Sequence, residues 1–278
     1  MAEETPVAEE EKVAEFDKEG LRNVLLVAVS VCLVCSIFVS SAAVLLKPRQ
    51  QINQELDRKQ NILRAAGLLS ADGLTDSEGR GVAELFEQFR VRAVTLETGE
   101  YTDVVDVESY DQAKASRVND ISRDLETTED IATLGRREHV GLVYLLETEQ
   151  GMLDTIVLPV RGYGLWGTLF GYLAIEGNLH TIAGLGFYAH KETPGLGGEV
   201  DNPGWKAMWP GVLLFDESGA PAVRLVKTRS PEGSAAAAHE VDALSGATMT
   251  SRGVENLVRF WTGELGYGPF LNKLQAGA

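Results

Sequence analysis

Ten residues near the C-terminus, Asp242-Ala243-Leu244-Ser245-Gly246-Ala247-Thr248-Met249-Thr250-Ser251, place an acid and a cluster of hydroxyls directly ahead of an amphipathic segment. In that segment Val254, Leu257, Val258 and Trp261 recur at i, i+3, i+4 and i+7, the spacing of one apolar helix face. The helix is entered near Thr250 or Ser251, both of which are N-cap residues by type. The first N–H groups of a helix have no partner of their own and favour an anion, above all a phosphate. Gly246 and Ala247 are small enough for the backbone to approach such a ligand closely. The chemistry indicated is a phosphate held by backbone and hydroxyls, with one hydroxyl able to carry it covalently; the same pattern also makes an ordinary helix cap. Asp242 reads either as a hydrogen-bond partner of the Ser245–Thr248 region or as the group that positions a hydroxyl for transfer.

Two glycine-rich stretches precede this one. Gly162-Tyr163-Gly164-Leu165-Trp166-Gly167 joins two expected strands, as a tight hairpin with a buried ring or as apolar cover, through Leu165 and Trp166, for a planar ligand. Glu192-Thr193-Pro194-Gly195-Leu196-Gly197-Gly198 follows a strand but has neither Walker spacing nor the Lys-Ser/Thr pair, which excludes a nucleoside triphosphate loop. It remains either a surface Ω-type loop or a run of backbone donors with Glu192 and Thr193 reaching a ligand's oxygens. His190 and His239 read as structural, since neither a third metal ligand nor a Ser/His/Asp arrangement accompanies them. No metal site is expected.

The elements that must position these residues begin with a membrane anchor. Residues 1–20 are rich in Glu and Asp without apolar periodicity, the mark of a solvated, mobile tail. Asn23 to Leu46 contains no charged residue, and at about 1.5 Å per residue it extends roughly 36 Å, enough for a hydrocarbon core of about 30 Å. The run is too long for a signal peptide and follows an acidic rather than a basic start, so 21–46 is expected to be an uncleaved transmembrane helix. Basic residues flank it on both sides, and charge alone does not orient it. Cys32 and Cys35 lie inside this span, so neither a disulfide framework nor a zinc ribbon is available.

A helical stalk over 47–66, continuing or restarting beyond Pro48 and broken at Gly67 and Asp72-Gly73, leads to an outer domain divided into 67–160 and 161–265, followed by a C-terminal tail at 266–278. A short helix is expected over 82–89, and residues 108–139, polar and charge-dense, as a surface excursion. Strands are expected at 92–95, 102–107, 140–146, 152–160, 168–175, 182–188, 212–215 and 223–226. The absence of βα alternation makes the domain α+β with a mixed, largely antiparallel sheet and flanking helices. The formal net charge of −16 excludes nucleic acid and anionic membrane surfaces as partners and suits basic patches on other proteins.

Asp242-x-x-Ser245-Gly246-Ala247-Thr248 resembles the flavinylation motif of the FMN-binding domain family, in which the closing Thr bears FMN through a phosphoester. Together with Leu56-Asp57-Arg58-Lys59-Gln60-Asn61-Ile62-Leu63 and the two glycine-rich stretches, it makes residues 20–265 similar to the C subunits of sodium-translocating NADH:quinone oxidoreductases. The resemblance implies covalent FMN on Thr248, with Ser245, Gly246, Ala247, Thr250 and Asp242 around the phosphate. It further implies Gly164, Leu165, Trp166, Glu192, Thr193, Pro194, Gly195, Leu196 and Gly197 near the ring. By the same resemblance the chain relays electrons from an iron–sulfur centre to a flavin in the B subunit of the complex, beside the A, D, E and F subunits, after loading by a flavin transferase. The tail then lies in the cytoplasm and the large domain on the periplasmic side of a bacterial inner membrane. The alternatives are the flavin subunit of the Rnf complex, a membrane-tethered hydrolase using Thr248 or Ser245, and a cofactor-free scaffold.

Overall fold

A computed structural model describes residues 18–69 and 73–277, so the acidic stretch 1–17 and Asp72 lie outside the described residues. The chain divides into two compact units, 1–54 and 55–278. The first is the N-terminal part of α1 (Lys18–Ala65), which runs through Pro48 instead of restarting after it. Pro48 removes one backbone donor from the helix. Across residues 21–46 the side chains are exposed all round, Phe38 and Leu45 among them. The helix is long and apolar enough to cross a membrane. An apolar helix with no polar face requires lipid or another apolar surface.

The second unit is built on a sheet. After the last turns of α1 come α2 (Val82–Phe86), β1 (Phe89–Thr95) and β2 (Glu100–Thr102), then α3 (Gln112–Ala115), β3 (Ser122–Asp124) and β4 (Arg136–Glu138). Four long strands follow: β5 (Val140–Glu147), β6 (Leu153–Tyr163), β7 (Thr168–Glu176) and β8 (Ile182–Ala189). The chain closes with α4 (Pro203–Lys206), β9 (Arg224–Val226), β10 (Glu240–Asp242), α5 (Thr248–Thr262) and α6 (Gly268–Gly277). The main sheet has the order β2-β1-β5-β6-β7-β8 with every neighbouring pair antiparallel, as the strand pattern requires.

Alternation along the strands gives the sheet two apolar faces. Val143, Leu145, Ile156, Leu158 and Leu173 belong to the core that includes α5, through Val254, Leu257, Val258 and Trp261. Tyr144, Val157, Tyr172 and Ala174 meet Ile62 and Leu63 from the end of α1, together with Val82 and Leu85. The stalk's last turns are therefore core of this unit.

Several elements depart from the sequence expectations. The strand expected at 102–107 is confined to Glu100–Thr102, and 212–215 makes isolated bridges, Thr181 to Leu213 and Phe215 to Pro221, rather than a strand. The helix expected over 82–89 ends at Phe86 because β1 begins at Phe89. Residues 108–139 are more than a surface excursion. Gln112 donates to Glu138 at 2.6 Å, and Arg161 on β6 donates to both oxygens of the same buried carboxylate at 2.8 and 2.5 Å. A charge-dense stretch can be internal when its charges satisfy one another. Residues 268–277, within the expected tail, form α6, whose Phe270 and Leu271 are buried.

Candidate functional site

α5 starts at Thr248, and its N-cap, ahead of the expected Thr250 or Ser251, is Ala247, which provides no side-chain cap. The helix thus opens with its first N–H groups uncapped by any side chain, the condition under which an anion is welcome. Gly246 turns the chain into the helix with φ +71°, a left-handed conformation that a residue with a Cβ adopts only with strain.

The four hydroxyls around this turn separate into two kinds. Thr250 is fully buried and donates to Glu192 Oε2 at 2.5 Å. Ser251 is buried, donates to the carbonyl of Ala247 at 3.0 Å and accepts from the Leu244 N–H at 3.0 Å. Ser245 and Thr248 are exposed, and their hydroxyls have no partner among the described residues. Both line an open groove of about 600 Å³ shared with Gly246, Lys227, Arg252 and Glu255, a size in the usual range of ligand sites.

Glu192 brings the three stretches together. Its Oε1 accepts from the N–H groups of Leu165 and Trp166, each at 3.0 Å, while its Oε2 takes the Thr250 hydroxyl. A carboxylate accepting three donors inside the protein is satisfied without a counter-cation. The side chain is 5% exposed, so the expectation that it reaches a ligand's oxygens meets a group already engaged. Its carboxylate faces the buried side of the first turn of α5, toward Thr250. A Cβ at Gly164 would stand 2.6 Å from Glu192 Oε1, and one at Gly197 would stand 2.5 Å from the Thr250 hydroxyl. Those two glycines are needed for close approach. Leu196 reaches the turn as well, 3.0 Å from where a Gly246 Cβ would lie.

Above this buried knot the surface is apolar. Gly164 donates to the Gly167 carbonyl at 2.9 Å, closing the β6–β7 hairpin, so Leu165 and Trp166 project outward, Trp166 being 62% exposed. The reading of this hairpin as one with a buried ring is thereby overturned. Leu196 and Met249 are also exposed, and Thr193, Pro194 and Gly195 form an exposed turn closed by the Gly198 N–H on the Thr193 carbonyl at 2.9 Å. Asp242 is bonded away from the Ser245 and Thr248 hydroxyls: its carboxylate accepts from Arg229 at 2.9 Å and its carbonyl from the Trp205 indole at 2.8 Å. His190 bridges the Glu192 N–H at 3.2 Å and Asp201 at 2.8 Å, and His239 contacts the Leu213 carbonyl at 2.8 Å. Neither is among the residues that line the groove.

Sequence reasoning missed Lys227 and Arg252. Arg252 was legible in principle, being four residues after Thr248 on the same helix face. Lys227 was not, because it reaches the groove only through the parallel pairing of β9 with β10.

An antiparallel sheet that presents an uncapped helix start, exposed hydroxyls and two converging glycine loops makes a surface suited to a phosphate-bearing ligand. Residues 164–263 match the FMN-binding domain family. The C subunit of the Na(+)-translocating NADH-quinone reductase of Pseudomonas aeruginosa is 49% identical over 94% of this chain and 98% of its own, and that of Yersinia pestis is 42% identical over 94% and 96%. Among solved structures, NqrC of Shewanella oneidensis superposes with a TM-score of 0.70 at 35% identity, covering 80% of this chain and 97% of its own. The corresponding C subunit from Parabacteroides distasonis gives 0.59 at 28%, over 81% and 96%. The chain belongs to the family of C subunits of Na(+)-translocating NADH-quinone reductases.

Proposed function

We propose that this chain is the electron-relay subunit of a sodium-exporting NADH:quinone oxidoreductase and carries FMN esterified through its phosphate to Thr248. The observation that carries the reading is the Thr248 hydroxyl: exposed, without a partner among the described residues, at the first residue of an uncapped helix and in the groove. The residues fit the group: a phosphate has open backbone donors and hydroxyls, and a planar ring has the exposed apolar surface of Leu165, Trp166 and Leu196. Backbone of Thr193, Pro194, Gly195 and Gly197 would meet the ring's polar edge.

When bound, FMN supplies one-electron chemistry between an iron–sulfur centre of neighbouring membrane subunits and the flavin of the B subunit, toward ubiquinone. The chain's own part is positional. Glu192 ties the 164–167 hairpin to the first turn of α5, so the anchoring hydroxyl and the apolar bed keep one relative geometry. Trp166 and Leu165, both exposed, would give the ring apolar cover. On this reading 21–46 is a retained single-pass anchor, the large domain lies on the periplasmic side, and the chain by itself does not oxidise NADH. A hydrolase using Thr248 or Ser245 is disfavoured, since neither hydroxyl contacts an activating base among the described residues.

The test is intact mass of the full chain produced with and without the flavin transferase. Addition of one esterified FMN, with an in-gel fluorescent band that survives denaturant, is expected. A chain without that added mass, although active transferase is present, would refute the reading.

A further inference from the structure

The groove beside Thr248 holds two cations, Lys227 and Arg252, in a chain whose formal net charge is −16. Two other basic residues nearby are opposite carboxylates: Arg229 lies 2.9 Å from Asp242, and Arg259 lies 3.8 Å from Glu255. Among the described residues neither Lys227 nor Arg252 is in an ion pair. The groove's own acid is engaged by other partners: Glu255 Oε2 accepts from the Leu225 N–H at 2.8 Å, and its Oε1 lies 3.8 Å from Arg259.

Their placement is built into the fold. Arg252 stands one turn after Thr248 on α5, on the same helix face. Lys227 directly follows β9, and the Ala243 N–H donates to the Val226 carbonyl at 2.8 Å, which ties the residue before Lys227 to the strand that delivers the Ser245–Thr248 turn. Two cations from different elements therefore line the groove that Thr248 also lines. We propose that Lys227 and Arg252 form the cation pair that receives a phosphate anion at Thr248. The ligand chemistry is a phosphate monoester or diester, whose charge the α5 N-terminus alone would meet only with partial dipoles.

This rests on the reading of a flavin phosphate at Thr248, and two measurements separate the two ideas. Inorganic phosphate is titrated into the full chain in detergent, made without the flavin transferase and followed at the amide resonances of Gly246 and Thr248. Saturable binding is expected, weakened about tenfold in the Lys227→Gln/Arg252→Gln variant, as loss of two exposed charges near an anion predicts. The Lys227→Arg/Arg252→Lys variant should restore it. Both side chains are exposed, so an unchanged thermal midpoint serves as the folding control. Absence of saturable binding by the wild-type chain, or equal binding by the glutamine variant, overturns the proposal. In the second measurement the transferase is supplied and covalent flavin is followed by intact mass. A wild-type chain that loads flavin while its phosphate binding ignores the charge substitutions defeats the cation pair alone. A wild-type chain that binds phosphate through these cations yet never gains the flavin mass defeats only the flavin reading.

Discussion

The two sides of the first turn of α5 contain similar residues and have opposite character. On the inner side Thr250, Ser251 and Glu192 are buried, and each has its polar atoms spoken for by neighbours. On the outer side Ser245 and Thr248 are exposed beside Lys227 and Arg252, with no partner among the described residues. Hydroxyl type does not distinguish the sides; prior commitment does. A Thr hydroxyl already donating inside a low-dielectric knot must break that bond to do anything else, at a cost of about 1–3 kcal/mol for the group left unsatisfied. The inner side is framework, and the outer side is where a ligand is expected.

The largest test of that contrast is Thr248→Ala, expected to abolish covalent FMN while the domain keeps its fold, as judged by circular dichroism. Thr250→Ala should retain the flavin. The reverse pattern in intact mass would invert the comparison.

Glu192→Ala attacks the inner side. It orphans the N–H groups of Leu165 and Trp166 and the Thr250 hydroxyl together, and should lower stability by roughly 2–4 kcal/mol. Glu192→Gln keeps one carbonyl oxygen for the two N–H groups and should cost far less. A denaturant midpoint for the alanine variant equal to wild type would show that the knot holds nothing.

Smaller effects are expected from the apolar bed. Trp166→Ala and Thr193→Ala should retain covalent FMN, shift its absorption spectrum and slow electron transfer in the assembled complex. Unaltered spectra in both would remove these loops from the ring's surroundings.

The smallest effect concerns pH. Glu240 on β10 accepts from the Ser230 N–H at 2.7 Å and its hydroxyl at 2.9 Å, and the backbone bond above all holds the carboxyl below its ordinary value of 4.5. A folded-state value depressed in this way contributes stability that is fully present above pH 4.5 and is lost as pH falls through the lowered value. The thermal midpoint of wild type should therefore fall more steeply than that of Glu240→Gln as pH drops below about 4.5. Parallel curves would remove this carboxylate from the acid sensitivity of the β9–β10 pair.

Local pattern carried much of the fold because its signals are local. The uncharged run 23–46, the four apolar positions on α5 and the β-branched and aromatic runs of β5 to β8 each report a burial pattern within one element. The hairpin loop 164–167 and the turn 245–248 were legible for the same reason, as glycines where the backbone must turn or approach closely. Propensity failed where pairing partners were wanting: 102–107 and 212–215 have strand composition, but most of their length finds no ladder.

What the sequence by itself determined was that a cluster of hydroxyls sits at the start of one helix, with the family resemblance placing Glu192 and the glycine loops near them. Which hydroxyls are free, and on which side of the turn Glu192 lies, only the tertiary structure decided. Each depends on partners far along the chain, 58 residues for Thr250 and Glu192 and a parallel strand pair for Lys227. A side chain's availability is set by what packs against it, and spacing along the chain does not contain that.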